Sequence, residues 1–153
     1  AVVFGSGGAA AAVSLALSRV PLRSLTIVAR TLSTGRTMAA RAAAGLRSTE
    51  VPWALDSVEP ALSEADIVVN ATPAALDELP LALHLLRRSC TVADVRYRPR
   101  PVDVVEAAEA VGLRAADGVE MLLHQGMLAF ELWTQEAAPW EEARAALSEA
   151  LAQ

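Results

Sequence analysis

Lysine is missing from this sequence: all 13 basic residues are arginine, set against 18 acidic ones, for a formal net charge of −5. An acidic chain without lysine lacks the basic face that grips a phosphate backbone, which argues against a nucleic-acid partner. Cysteine is nearly missing too. Cys90 stands alone, so neither an internal disulfide frame nor a cysteine metal cluster is possible. The two histidines, His84 and His124, are not grouped with carboxylates at ligand-like spacing, and no metal site is expected. No apolar run reaches the roughly 18 residues of a membrane span, and no basic-then-apolar leader is visible. The expectation is a soluble, cytoplasmic domain with no membrane partner. Its 153 residues are enough for one domain with a proper core, and alanine supplies much of the 54% hydrophobic fraction.

What is present is an alternation of short β-rich runs with longer helical ones. Strands are expected at AVVF (1–4), SLTIVA (24–29), DIVVNA (66–71), CTVADV (90–95) and LRAA, with a weaker one in TEVPWAL, where Pro52 suggests an edge. Helices are expected over 8–19, TGRTMAARAAAG to Gly45, 57–65, LPLALHLLRR, 101–111, 118–135 and 139–152, the last opened by Pro139 with Glu141 and Glu142 behind it. Strands this short with helices between them cannot pair as hairpins. They predict βαβ crossovers: an α/β, Rossmann-type doubly wound, mostly parallel six-stranded sheet with helices on both faces and two C-terminal helices.

The first strand runs into Gly5-Ser6-Gly7-Gly8-Ala9, and Gly5-x-Gly7-x-x-Ala10 fits G-x-G-x-x-G/A between a strand and a helix. Gly5 permits the tight turn, Gly7 removes a side chain where a pyrophosphate approaches the backbone, and Ala10 keeps the helix close to the sheet. An NAD site has a carboxylate at the end of the second strand; here that strand ends Ala29-Arg30-Thr31, followed by Ser33, Thr34 and Arg36. A guanidinium without a carboxylate favours the 2′-phosphate of NADP(H), the other reading being an arginine that only solvates a strand end. Arg96, Arg98 and Arg100 form the densest positive patch, read as a solvated loop or the edge of an anion site. On the helix after Gly118, Met121, Gln125 and Leu132 share one face. Gln125 there either meets a hydroxyl-bearing ligand or caps a backbone group in the core. Asp94 and Asp117, at strand ends, read as structural.

VFGSGGAAAAV, VART, ADIVVNATP, VADVRYRP and DGVEMLLHQGMLAFELWT occur in the order found in shikimate dehydrogenases, and the chain resembles the C-terminal, NADP-binding half of that family. The resemblance implies interconversion of 3-dehydroshikimate and shikimate with NADPH, on the route to chorismate and the aromatic amino acids. It implies that Ser6, Gly7, Gly8 and Ala9 cradle the pyrophosphate, Arg30 and Thr31 hold the 2′-phosphate, and Thr72 and Pro73 line the cofactor cleft. Gly118 and Met121 would sit against the nicotinamide, and Tyr97 and Gln125 would reach the substrate. The chain departs from the family at Ala29, where Asn is usual, at Thr34, where a basic residue is usual, and after Tyr97-Arg98-Pro99, where a T-P-L segment is shortened. The family's proton-transferring lysine and its aspartate belong to an N-terminal substrate domain. A lysine-free chain therefore carries no catalytic residue and is expected to be part of a longer two-domain enzyme, with residues 1–153 forming its cofactor domain. Alternatives are a quinate or aminoshikimate dehydrogenase relative, or a non-catalytic dinucleotide-sensing module.

Overall fold

A computed structural model describes residues 1–31, 33–35, 37 and 47–152. Two compact units are present, Ala1–Asp117 and Gly118–Gln153.

Among the described residues the first unit holds six strands: β1 (Val2–Phe4), β2 (Ser24–Ala29), β3 (Arg47–Pro52), β4 (Ile67–Asn70), β5 (Thr91–Asp94) and β6 (Arg114–Ala116). Every pairing is parallel, in the order β3-β2-β1-β4-β5-β6. The helices described in full are α1 (Gly8–Leu17), α2 (Leu55–Glu64) and α3 (Asp103–Ala110). Residue alternation along the strands assigns the two faces. Val2, Phe4, Val28, Val68 and Val92 pack with Val58 and Leu62 of α2 and with Val104 and Ala108 of α3. Val3, Leu25, Ile27 and Val69 pack with Ala10, Val13 and Leu17 of α1. The central strands are thus apolar on both faces, and β3, ending at Pro52, is an edge.

Most expected elements are found to within three residues at each end. The helix from Thr34 to Gly45 falls largely outside the described residues, although 33–35 are helical. The segment LPLALHLLRR is not a helix. One 3-10 turn, Leu76–Glu78, precedes it, a second, Leu83–Leu85, lies inside it, and Leu86 is extended. Leu79 and Leu86 are buried in the core and Leu81, Leu83 and Leu85 pack against it, a set of contacts too wide for the single apolar stripe of a helix.

The second unit consists of α4 (Val119–Thr134) and α5 (Trp140–Leu151). Gln135 ends α4 in the left-handed conformation (φ 61°). His124 meets Trp140 edge-on at 5.0 Å, and Arg144 bonds to Glu120 across the pair. Among the described residues no helix is long and apolar enough to cross a membrane.

Candidate functional site

With β2 on one side of β1 and β4 on the other, successive crossovers leave in opposite directions, and a crevice opens at the carboxyl ends of β1 and β4. Gly5 lies there with φ +113°, donating its N–H to the Val28 carbonyl at 2.8 Å. A Cβ on it would stand 2.7 Å from Thr72 Cγ2 and 3.0 Å from the Ala71 oxygen, so glycine is required by both conformation and space. The fold therefore brings the glycine turn against the segment containing Thr72 and Pro73.

Gly7 and Gly8 differ. Gly7 has φ −86° and ψ −170°, which any residue can adopt, and a Cβ on either would meet no atom within 4 Å. Gly8, inside the first turn of α1, costs about 1 kcal/mol relative to alanine, while Gly7 is the N-cap, a position that accepts glycine but does not demand it. Nothing in the protein's own packing requires glycine at these two positions, and both are exposed. No side chain caps α1, so its leading N–H groups have no side-chain acceptor. Ala9 is half-buried, and Ser6 is tied to the next loop. Thr34 Oγ1 donates to the Thr31 carbonyl at 2.7 Å, so the 2.9 Å contact between Ser6 Oγ and Thr34 Oγ1 has Ser6 as donor.

Arg30 follows β2, exposed, its guanidinium 5.0 Å from the centre of the Trp53 ring. Among the described residues it makes no ion pair. Thr31 beside it is exposed, and Arg36 lies outside the described residues.

Thr72 is held by a buried polar network that reasoning from sequence missed. Asn70 and Asp94 are the aligned last residues of β4 and β5, each 1% exposed. Asn70 Oδ1 accepts from the Thr72 hydroxyl (2.7 Å) and N–H (3.1 Å), while its amide donates to Asp94 Oδ2 (2.8 Å) and the Ala74 carbonyl (3.1 Å). Asp94 also takes the Arg96 backbone N–H and two side-chain N–H groups of Arg96, the closest at 2.7 Å. Arg96 continues to Asp103, which accepts the Leu76 N–H at 2.8 Å. Arg96 is therefore not part of a solvated loop: its side chain is only 14% exposed and is clamped between two carboxylates. Arg100 pairs with Asp117 at 3.0 Å. The available signal was that DIVVN and TVAD both end an apolar strand on a polar residue.

Partial burial would raise the Asp103 carboxyl, but the Leu76 and Val104 N–H groups and the Arg96 guanidinium outweigh it and hold it below the ordinary Asp value. Such a group stabilises the fold above the unfolded value of about 3.9, and that contribution is lost as pH falls below it. Acid denaturation of Asp103→Asn should accordingly be shallower between about pH 5 and pH 2 than that of the native chain. An unchanged acid limb would contradict the assignment.

Tyr97, two residues beyond Val95, is 37% exposed. In the second unit, Gly118 precedes α4 as its N-cap, Met121 is 37% exposed and Gln125 is exposed on the same helix. Gln125 is therefore not an amide capping the core. His124, against Trp140, lies on another side of the helix.

A doubly wound parallel sheet with an open glycine turn and a bare helix N-terminus at its switch point is the architecture of a dinucleotide-binding α/β domain. Residues 118–147 match the family described as Shikimate 5′-dehydrogenase C-terminal domain. Over 157 aligned positions the chain is 36% identical to the shikimate dehydrogenase (NADP(+)) of Methanopyrus kandleri, covering 98% of this chain and 54% of that protein. The shikimate 5-dehydrogenase of Thermus thermophilus, solved in complex with NADP(H) and shikimate, superposes with a TM-score of 0.78 at 32% identity, over 98% of this chain and 54% of that one. Quinate dehydrogenase from Corynebacterium glutamicum, solved with NAD, gives 0.82 at 27% identity, over 97% and 54%. The chain belongs to the shikimate dehydrogenase family, and it spans about half the length of the relatives it matches.

Proposed function

We propose that residues 1–153 form the NADP(H)-binding half of a shikimate dehydrogenase-type oxidoreductase, which reduces 3-dehydroshikimate to shikimate. The observation carrying this reading is the pair Gly7 and Gly8, glycines that neither backbone conformation nor packing demands, at an uncapped helix N-terminus. Space kept open at a positive helix end suits a pyrophosphate. Arg30, with no carboxylate beside it in sequence, suits a 2′-phosphate.

In this reading the backbone of Ser6 to Ala9 holds the pyrophosphate, Arg30 and Thr31 the 2′-phosphate, and Thr72 with Pro73 borders the cofactor. Gly118 and Met121 are assigned to its nicotinamide end, and Tyr97 and Gln125 to the substrate. The bound cofactor supplies the hydride. This chain's residues orient the two reactants, where correct placement alone is worth several kcal/mol of barrier. No residue of this chain is assigned the proton transfer. The chain alone should therefore show no turnover of shikimate with NADP+, followed as absorbance of the reduced nicotinamide; measurable turnover would contradict the division of labour.

Gly7→Val separates ligand space from fold. Its Cβ meets no atom of the protein within 4 Å, so the stability cost should be about 1 kcal/mol, that of an apolar residue at the N-cap of α1. NADPH and NADH affinities should both fall by about tenfold, or 1.4 kcal/mol. Unchanged binding would show that the opening holds no ligand.

A further inference from the structure

We propose that Trp53 is a positioning residue of the 2′-phosphate site: its indole ring sets where the Arg30 guanidinium stands and leaves that group's N–H edge open to a phosphomonoester. The inference rests on the cofactor reading above and names how its specificity is built.

The placement follows from strand register. Ala29 of β2 pairs with Pro52 of β3, so the next residues of the two strands, Arg30 and Trp53, leave the sheet side by side. The guanidinium carbon lies 5.0 Å from the ring centre, within cation–π range. The geometry matters for what remains available. The guanidinium carbon lies over the ring, and among the described residues no ion pair takes up its five donors, which stay available for bidentate contact with phosphate oxygens. A carboxylate partner would do the opposite, occupying those donors and cancelling the charge.

The ring is itself held. Trp53 Nε1 donates to the Glu78 carbonyl at 3.0 Å. Its ring meets Phe4 edge-to-face, at 5.9 Å and 79°. Phe4 is fully buried at the end of β1, one residue before Gly5. Rigid contacts thus run from the strand that starts the glycine turn to the charge at the end of β2. An unrestrained arginine must give up rotamer freedom on binding, and a pre-stacked one has already done so.

Calorimetric titrations with NADPH and NADH at fixed salt test this on the native chain and on Trp53→Leu, Trp53→Phe and Arg30→Ala/Trp53→Leu. Trp53→Leu should weaken NADPH binding by about fivefold, the range of an exposed cation–π contact, and leave NADH unchanged. Trp53→Phe keeps a ring face and should keep most of the preference, although it loses the bond to Glu78. In the Arg30→Ala background Trp53→Leu should add nothing, as expected when one residue acts through the other. A native chain that prefers NADPH, with a Leu variant that keeps the preference or loses both cofactors equally, would overturn the positioning role while leaving the cofactor reading intact. A native chain with no preference would overturn both. Should the Leu variant fail to fold, Trp133→Phe/Trp140→Phe leaves Trp53 as the single indole of the three. Its emission should then respond to adenosine 2′,5′-bisphosphate but not to adenosine 5′-monophosphate, and the response should vanish with Arg30→Ala. An equal response to both nucleotides would overturn the proposal.

Discussion

Asp94→Ala should destabilise the chain by about 3–5 kcal/mol, the cost of removing one partner from a buried ion pair. The Asp94 side chain is completely buried and that of Arg96 is largely so, at 14% exposed. Without the carboxylate, Arg96 keeps Asp103 alone among the described residues, and that partner is 42% exposed, while the Asn70 amide loses its 2.8 Å acceptor. The consequence reaches the crevice, because Asn70 orients Thr72, and Thr72 packs where a Cβ on Gly5 would stand. NADPH and NADH binding should weaken together as that segment loosens. Asp94→Asn should be milder, since one acceptor oxygen survives, but its amide N–H groups would face guanidinium donors. Chemical denaturation of the three proteins checks this. A loss below about 0.5 kcal/mol for Asp94→Ala would place it among ordinary surface substitutions and contradict the network's role.

Arg30→Ala should weaken NADP(H) binding by about 1.5–3 kcal/mol, the range for a hydrogen bond to a charged group, or roughly 10- to 150-fold. NAD(H) lacks the 2′-phosphate, and its affinity should barely change. Stability should change little, because Arg30 is exposed and its described contact is the face of Trp53. An equal loss for both cofactors would assign Arg30 to the fold or to a shared part of the ligand instead.

The strands and their parallel pairing were legible because alternating βαβ signals leave few topologies, and β1, β2 and β4 are apolar runs bounded by breakers. The glycine turn was legible as a motif, but its two kinds of glycine were not. Only their surroundings in space separate Gly5, which the fold requires, from Gly7 and Gly8, which it does not. LPLALHLLRR misled because leucine favours helices, whereas its leucines meet the core over a wider arc than one helical stripe. Arg96 misled because its partners, Asp94 and Asp103, flank a segment that reads by itself as a charge cluster. The Arg30–Trp53 stack was invisible for a plainer reason: 23 positions separate the two residues, and only the β2–β3 register joins them.

Everything proposed for the crevice depends on one property: the open turn at Gly7 and Gly8, together with Arg30, forms a cofactor site that selects NADP(H). Calorimetric titration of this chain with NADPH and, separately, NADH at one fixed salt concentration measures that property itself. Both should bind, with NADPH tighter by at least about tenfold, or 1.4 kcal/mol. Equal affinities, or no binding of either, would contradict it.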